Sequence, residues 1–437
     1  MMLRQKVCLQ MYIGFVDVLK FYQYEHLEQK VRFFHIIYEI RKESGEDCLI
    51  YLDNAATTKI GQEVLETMLP FLTKQYGNPS SVYGFSDICR KAMEDARCVI
   101  AKGIGANPSE IYFTSGGTES DNWALKVAME KGKRQGKCHM ITSKIEHHAI
   151  LHTCRWLEQN GCEVTYLYPD EKGIIHPECV EQAIRPDTML VSVMAANNEV
   201  GTLQPLEEIG KIAHKYGVLF HTDAVQAFGH IPICVDQSHI SMLSASAHKF
   251  HGPKGIGFLY VRGEQGLCPL LHGGAQERGH RAGTENVAGI VGMGKAAQMA
   301  LDTIKERAEK EIRLRDHMIQ RVISEIPYTH LNGDRMKRLP NNAAFSFQFL
   351  EGEALVLLLG MENICVSSGS ACSSGSSSPS HVLKAMGLTD DMAYGSLRLT
   401  LSEETSKEEV DFVVERLKYH VKQLRSQSAP YHYFKYI

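Results

Sequence analysis

The chain has 437 residues, of which 44% are hydrophobic and 22% charged, and a formal net charge of −4 at pH 7. That length carries two domains with a sizeable core, and the composition is that of an ordinary globular enzyme. The slight acidity argues against direct nucleic-acid binding, and no run approaches the ~18 consecutive apolar residues of a membrane helix.

Residues 1–48 are rich in aromatics such as Tyr12, Phe15, Phe21 and Tyr38. Asp17 interrupts the apolar run that a secretory signal needs, and Glu25, Glu28, Glu39, Glu43 and Glu46 are too many acids for a transit peptide. The segment reads either as a packed extension or as translation from an upstream start codon, and it carries no visible chemistry. From Leu49 a short strand leads into a polar turn at 53–58. Helices are predicted over 62–76 and 86–104, a strand over 111–114, and a helical run over 122–131. Strands at 139–143, 164–168, 188–195 and 218–223 then alternate with helices at 148–159, 179–184 and 206–216. Such alternation predicts an α/β fold with a mostly parallel sheet wrapped by helices. Residues 241–261 read as an antiparallel hairpin of the kind common at a sheet edge. A long helical stretch over 288–323 crosses to a second domain with strands at 343–349 and 396–401, a short helix at 353–359 and a terminal helix at 407–424. Residues 431–437 receive no assignment.

Twelve cysteines are scattered without a CxxC pair or zinc-like spacing. Most are expected to be reduced, buried small hydrophobes in a cytoplasmic protein. His148 and His152 have the i,i+4 spacing of metal ligands, but no third ligand accompanies them, and no metal is expected.

The chemistry gathers around Lys249, which sits at a strand end beside the turn His251-Gly252-Pro253-Lys254-Gly255. Alone it reads as a surface lysine in a hairpin. A lysine facing a cleft, however, forms a Schiff base with an aldehyde. Asp223 lies 26 residues upstream, at the carboxyl end of an apolar strand where α/β sheets bind ligands. A pyridoxal 5′-phosphate (PLP) site needs such an acid to keep the pyridine nitrogen protonated. The turn 115–120 supplies a phosphate cradle: Gly116 and Gly117 allow close backbone approach, Thr118 follows, and a helix N-terminus favours an anion.

These residues belong to a set of motifs in a fixed order. They are YLDNAATT (51–58), GNPSS (77–81), TSGGTESDN (114–122), EHH (146–148), NNEVG (197–201), HTDAVQ (221–226), SAHKFHGPKGIG (246–257), RGHRAGTEN (278–286) and SSGSACSS (367–374). The set resembles the class V aminotransferase family, and within it the NifS-like cysteine desulfurases, over about residues 49–425. The resemblance implies a PLP-dependent transferase of fold type I, with a seven-stranded-type sheet in a large domain at 59–300. It also implies a smaller α+β domain formed by 49–58 with 301–437, and leaves 1–48 outside. It implies that His147 stacks on the cofactor ring and moves protons, that Asn198 binds the cofactor's 3′-oxygen, and that Gln226 does similar work. Gly117, Thr118, Ser246 and His248 match phosphate-binding positions. Thr284 matches a residue that reaches the phosphate of a neighbouring subunit, so a homodimer is expected. Arg398 matches the clamp for the amino acid's α-carboxylate, in keeping with bidentate guanidinium–carboxylate pairing.

Cys372 separates the readings. Its segment, 367–380, is 14 residues with nine Ser, two Gly and one Pro. Such a composition cannot pack and is expected to be mobile, its ends separable by roughly 20 Å. A passive linker gains nothing from a cysteine, which is an oxidation liability when exposed. A nucleophile that collects an atom in a cleft and carries it elsewhere does need this arrangement. The resemblance makes that atom the sulfur of L-cysteine, leaving L-alanine and a Cys372 persulfide. The sulfur would go on to a NifU/IscU-type iron–sulfur scaffold or to a tRNA-thiolation relay. The alternatives are a selenocysteine lyase on the same scaffold and a true class V aminotransferase, which would need no cysteine and would consume a keto acid.

Overall fold

In the computed structural model, which describes residues 49–263, 267–369 and 379–435, the apolar runs between 111 and 261 assemble into one seven-stranded sheet. After β1 (Ile50–Tyr51), its strands are β2 (Ile111–Thr114), β3 (His139–Ser143), β4 (Glu163–Leu167), β5 (Thr188–Ser192), β6 (Leu219–Asp223), β7 (Met242–Ser246) and β8 (Gly257–Val261). Their order is β2-β8-β7-β6-β5-β3-β4. The neighbours from β4 to β7 run parallel, whereas β8 is antiparallel to both β7 and β2.

Side chains alternate along each strand, and here the alternation divides two apolar layers. Phe113, Ile141, Val191, Phe220, Leu243 and Phe258 pack in one layer with the helices Asp87–Ile104, Leu206–Lys215 and Val287–Asp302. Tyr112, Met140, Leu190, Met242 and Leu259 pack in the other with the helices Gly117–Arg134 and His148–Gln159. Cover on both faces explains why β5 is buried at every residue and has no solvent-facing side.

The later residues form a second centre. β9 (Thr329–Leu331), β10 (Asn342–Phe347) and β12 (Ser396–Thr400) make an antiparallel sheet in the order β12-β10-β9. β11 (Ile364–Cys365) instead pairs in parallel with β1. Leu52, Phe345, Leu399 and helix residues Ile319, Val322, Val414 and Leu417 close this core. The β1–β11 pairing and an Asp53–Thr400 bridge bring the polar turn at 53–58 beside β12.

Against the expectation that most cysteines are buried, only Cys89, Cys154 and Cys162 of the nine described are. Three expectations about the elements also change. The 241–261 hairpin does not form the sheet edge, because the four-residue strand β2 docks antiparallel outside it. A single apolar run gives no pairing direction, so this was invisible in the sequence. The long helical stretch is two helices, Val287–Asp302 and Ile304–Glu325, broken at Thr303, whose hydroxyl bonds back to the Met299 carbonyl at 2.9 Å. The C-terminal residues left without an assignment contain a helix, Ala429–Lys435, whose Tyr431 and Phe434 pack on Tyr328 and Phe349.

Candidate active site

Because β3, β5, β6 and β7 are parallel neighbours, their carboxyl ends line one edge of the sheet. Each end delivers a polar group from the residues just beyond it. β3 leads to Glu146 and His147, β5 to Asn198, β6 ends on Asp223, and β7 ends on Ser246 and continues through the turn Ala247–Lys249. The antiparallel part adds the cradle. In register, Thr114 faces Gly257, and Gly257 faces Ser246. A Cβ on Gly257 would lie 2.4 Å from the Ala245 carbonyl and 2.7 Å from Gly116 Cα, so only glycine lets the 115–117 turn cross there. Likewise a Cβ on Gly117 would meet Val225 at 2.6 Å.

The result is a cavity of about 440 Å³ lined by Ser115, Gly117, Thr118, Ser246 and His248, among others. The helix Gly117–Arg134 opens into it without a side-chain cap, so its first-turn N–H groups are left for an anion. Glu119 also lines the cavity. Burial raises its carboxyl, but bonds from Arg281 and the Ser115 N–H outweigh this and hold it below the ordinary value. Its charge is thus already paired.

Lys249 Nζ donates to the Ala55 and Ala56 carbonyls at 2.7 and 2.8 Å. Gln226 Nε2 donates to the same Ala55 carbonyl at 2.9 Å. Asp223 is 5% exposed, and its Oδ1 accepts the Val225 N–H at 2.9 Å. Burial raises this carboxyl to about 6, while the Val225 bond and the Lys249 charge pull it down. His147 caps the helix His148–Gln159 through Nδ1, which accepts the Ala149 N–H at 3.1 Å. That bond puts the neutral ring's proton on Nε2. Burial, then the nearby Lys249, keep the imidazole pKa below its usual value. His248, lowered to about 4 by burial and then by Lys249, bonds Thr57 Oγ1 at 3.1 Å through Nδ1.

Arg398 on β12 is buried. It donates to the Asn198 carbonyl at 2.8 Å and to Asp53 at 2.9 Å, and its Nε has no hydrogen-bond partner among the described residues. A buried guanidinium with a spare donor is suited to a carboxylate. Thr284 lines a neighbouring cavity of about 230 Å³ that shares Ser115 and Gly255 with the first. Cys372 lies outside the described residues. Its flanks lie inside them: the Gly369 N–H donates to Ser396 Oγ at 3.3 Å, and Ser380 Oγ donates to the buried Glu199.

The site therefore suits PLP on its own geometry. An uncapped helix end and a glycine cradle await a phosphate, a buried carboxylate awaits a protonated ring nitrogen, and an amine lies beside them. No cluster of His, Cys, Asp and Glu arranged to hold a metal occurs among the described residues. His148 and His152 stack with ring centroids 5.0 Å apart, and His381 lies 4.8 Å from His148.

Sequence reasoning missed several groups. Asp53 pairs with Arg398 from a turn that looked merely polar. Asp121 and His221 are buried in the same region, 3.7 Å apart, with His221 held between Ser192 and Ser244. Glu146 is buried. Its Oε1 accepts Ser143 Oγ at 2.6 Å and the Met194 N–H at 3.0 Å, and its Oε2 lacks a partner among the described residues. Burial raises this carboxyl from 4.5 to about 8. Between those values the folded chain keeps a proton that the unfolded chain has lost, so stability falls as pH rises through the window, by at most ~1.4 kcal/mol per pH unit. Glu146→Gln imitates the protonated acid and is expected to remove this slope. Thermal unfolding of both proteins from pH 5 to pH 9 reads it, and parallel curves would contradict it.

Comparison with known proteins agrees with the geometry. The family described as "Aminotransferase class-V" matches residues 50–413. The chain is 51% identical over 385 residues to a protein named cysteine desulfurase IscS from Methanosarcina thermophila, spanning 88% of this chain and 95% of that one. It is 49% identical over 380 residues to a cysteine desulfurase from Trichormus azollae, spanning 87% and 94%. Among solved structures, a NifS-like protein matches with a TM-score of 0.80 and 40% identity, covering 86% of this chain and 99% of that one. A structure titled "SspA in complex with cysteine" matches with a TM-score of 0.73 and 39% identity, covering 82% and 100%.

Proposed function

The chain belongs to the class V aminotransferase family, and we propose that it works there as a PLP-dependent cysteine desulfurase whose sulfur is collected by Cys372. The observation that carries this reading is the grouping of Lys249, Asp223, His147 and Arg398 around one set of strand ends, beside an uncapped helix N-terminus.

When bound, PLP supplies an electron sink for the electrons left at the substrate's Cα. Gly117, Thr118, Ser246 and His248 would hold its phosphate, Asp223 would accept the ring N–H, and Asn198 and Gln226 would bind its 3′-oxygen. Lys249 would hold the aldehyde carbon, and its amine would be the base that carries the Cα proton. Arg398 holds the substrate carboxylate with the donor left over from Asp53 and Asn198. His147, its proton on Nε2, serves the substrate sulfur. The Cys372 thiolate attacks that sulfur, an S–S bond forms as the Cβ–S bond breaks, Cβ takes a proton, and L-alanine leaves.

The site is completed by a second copy of the chain, whose Thr284 reaches the phosphate. The segment 49–58 works with 301–437 as the small domain, and the large domain is 59–300. The sulfur acceptor is an iron–sulfur scaffold or a thiolation relay, in the cytoplasm. No helix among the described residues is long and apolar enough to cross a membrane.

The test is alanine release by purified protein from L-cysteine with a thiol reductant and no keto acid. Alanine is the expected product. A requirement for a keto acid would make the chain a transaminase, and turnover of L-selenocysteine without turnover of L-cysteine would make it a lyase.

A further inference from the structure

His230 closes the turn that follows Asp223, is 7% exposed, and has no part in the site described above. Its Nε2 lies 2.9 Å from the main-chain carbonyl of Lys249. A carbonyl only accepts, so Nε2 carries the ring proton and Nδ1 the lone pair. Burial, then the charge of Arg307, lower His230 to about 4, which leaves a neutral ring with one donor and one acceptor.

Arg307 fastens the same turn at the residue before His230. Nδ1 is buried without a hydrogen-bond partner among the described residues, and so is the Nε–H of Arg307, a donor of opposite polarity on the helix Ile304–Glu325. The same guanidinium donates to the Ala300 carbonyl at 3.1 Å and to the carbonyl of Gly229. Gly229 has a φ of +80°, and a Cβ there would sit 3.1 Å from Phe250 and 3.2 Å from Ala300, so the turn is pressed between the lysine's own neighbour and a helix.

The lysine's main chain is pinned on both sides. The carbonyl of His248 accepts from the Thr58 N–H at 2.9 Å and from Thr58 Oγ1 at 3.0 Å, and the next carbonyl, that of Lys249, accepts from His230. We propose that His230 is a positioning residue for Lys249: its Nε2–H bond, braced by Arg307, fixes the lysine's main chain so that only the side-chain torsions move when Nζ exchanges partners. Two successive anchored carbonyls define where Cβ points, and a lysine reaching a cofactor through four flexible bonds gains a preferred position from that direction.

The inference rests on Lys249 being the imine-forming lysine. The experiment compares wild type with His230→Leu, His230→Asn and His230→Gln as PLP-loaded full-length proteins. It reads the visible imine absorption and the rate at which hydroxylamine discharges it, together with the melting temperature and kcat. Glutamine places an N–H where histidine has Nε2; asparagine is too short and leucine has no donor. The expected result is discharge about 10-fold faster in the leucine and asparagine variants and within about 3-fold of wild type in the glutamine variant, with kcat following the same order. If leucine does not fold, the two amides still decide. Equal discharge in glutamine and asparagine variants, with only the melting temperature lowered, would make His230 a core residue and overturn the proposal. Loss of the imine band in Lys249→Ala is the control: its persistence there would refute the lysine assignment itself, a distinct failure.

Discussion

Lys249→Ala is expected to bind PLP without forming the imine absorption band and to release no alanine from L-cysteine, a fall on the order of 10⁴-fold or more in kcat. Two separate tasks depend on this amine. In the proposed reaction it would be the covalent anchor for the aldehyde and would carry the Cα proton. The local structure serves both. The Ala55 and Ala56 carbonyls accept from Nζ, holding the head group as a donor at the cavity wall, where Ala56 and His248 are exposed to the same space. Lys249→Arg keeps a charge in this position but forms no imine, so it should fail almost as completely. Both variants should still bind phosphate-bearing cofactor, because the helix end and the Gly257 crossing do not involve the lysine. Absorbance and alanine release measured on the same samples separate the two tasks. Turnover within about 10-fold of wild type would remove Lys249 from the chemistry.

How much of this was legible in the sequence follows from which signals are local. The helix His148–Gln159 was read to the residue because an apolar periodicity starts just after a capping group. Asp223 stands out in the sequence because it ends an apolar strand, and Lys249 because it lies in the turn just beyond one, and strand ends define the crevice in an α/β sheet. The edge position of β2 was not, since pairing direction depends on partners far along the chain. Arg398 was legible as a guanidinium on a strand, but its partner Asp53 is 345 residues away and sits in a turn whose composition shows only polarity. The buried trio Asp121, Glu146 and His221 was missed for the same reason: charged residues on a helix or at a strand end look solvated until tertiary burial is known. Glycines gave a truer signal. Gly257 and Gly117 lie where a Cβ would strike a neighbour; Gly117 stands in the phosphate turn and Gly257 closes the motif around Lys249.

Cys372→Ala is expected to keep the imine band and substrate binding while losing persulfide formation, with alanine release lowered by about 10²-fold or more. The closest internal rival is Cys365, which lies on β11 opposite Tyr51. It lies near Asp53, the partner of Arg398, but it is ill suited to attack. Burial, then the charge of Asp53, raise its thiol, so less thiolate is available than from an ordinary cysteine, which is only a few per cent ionised at pH 7. Cys372 instead belongs to a serine-rich segment whose flanks are fastened at the site itself, at Ser396 beside Arg398 and at Glu199 beside Asn198. Cys365→Ala should therefore leave persulfide loading near the wild-type level, and mass mapping after a single turnover with L-cysteine should place the extra sulfur on Cys372 alone. Sulfur found on Cys365 in the Cys372→Ala protein would reassign the nucleophile. Undiminished alanine release from that variant, with no sulfur on Cys365, would mean that sulfur departs without Cys372, which points to a lyase.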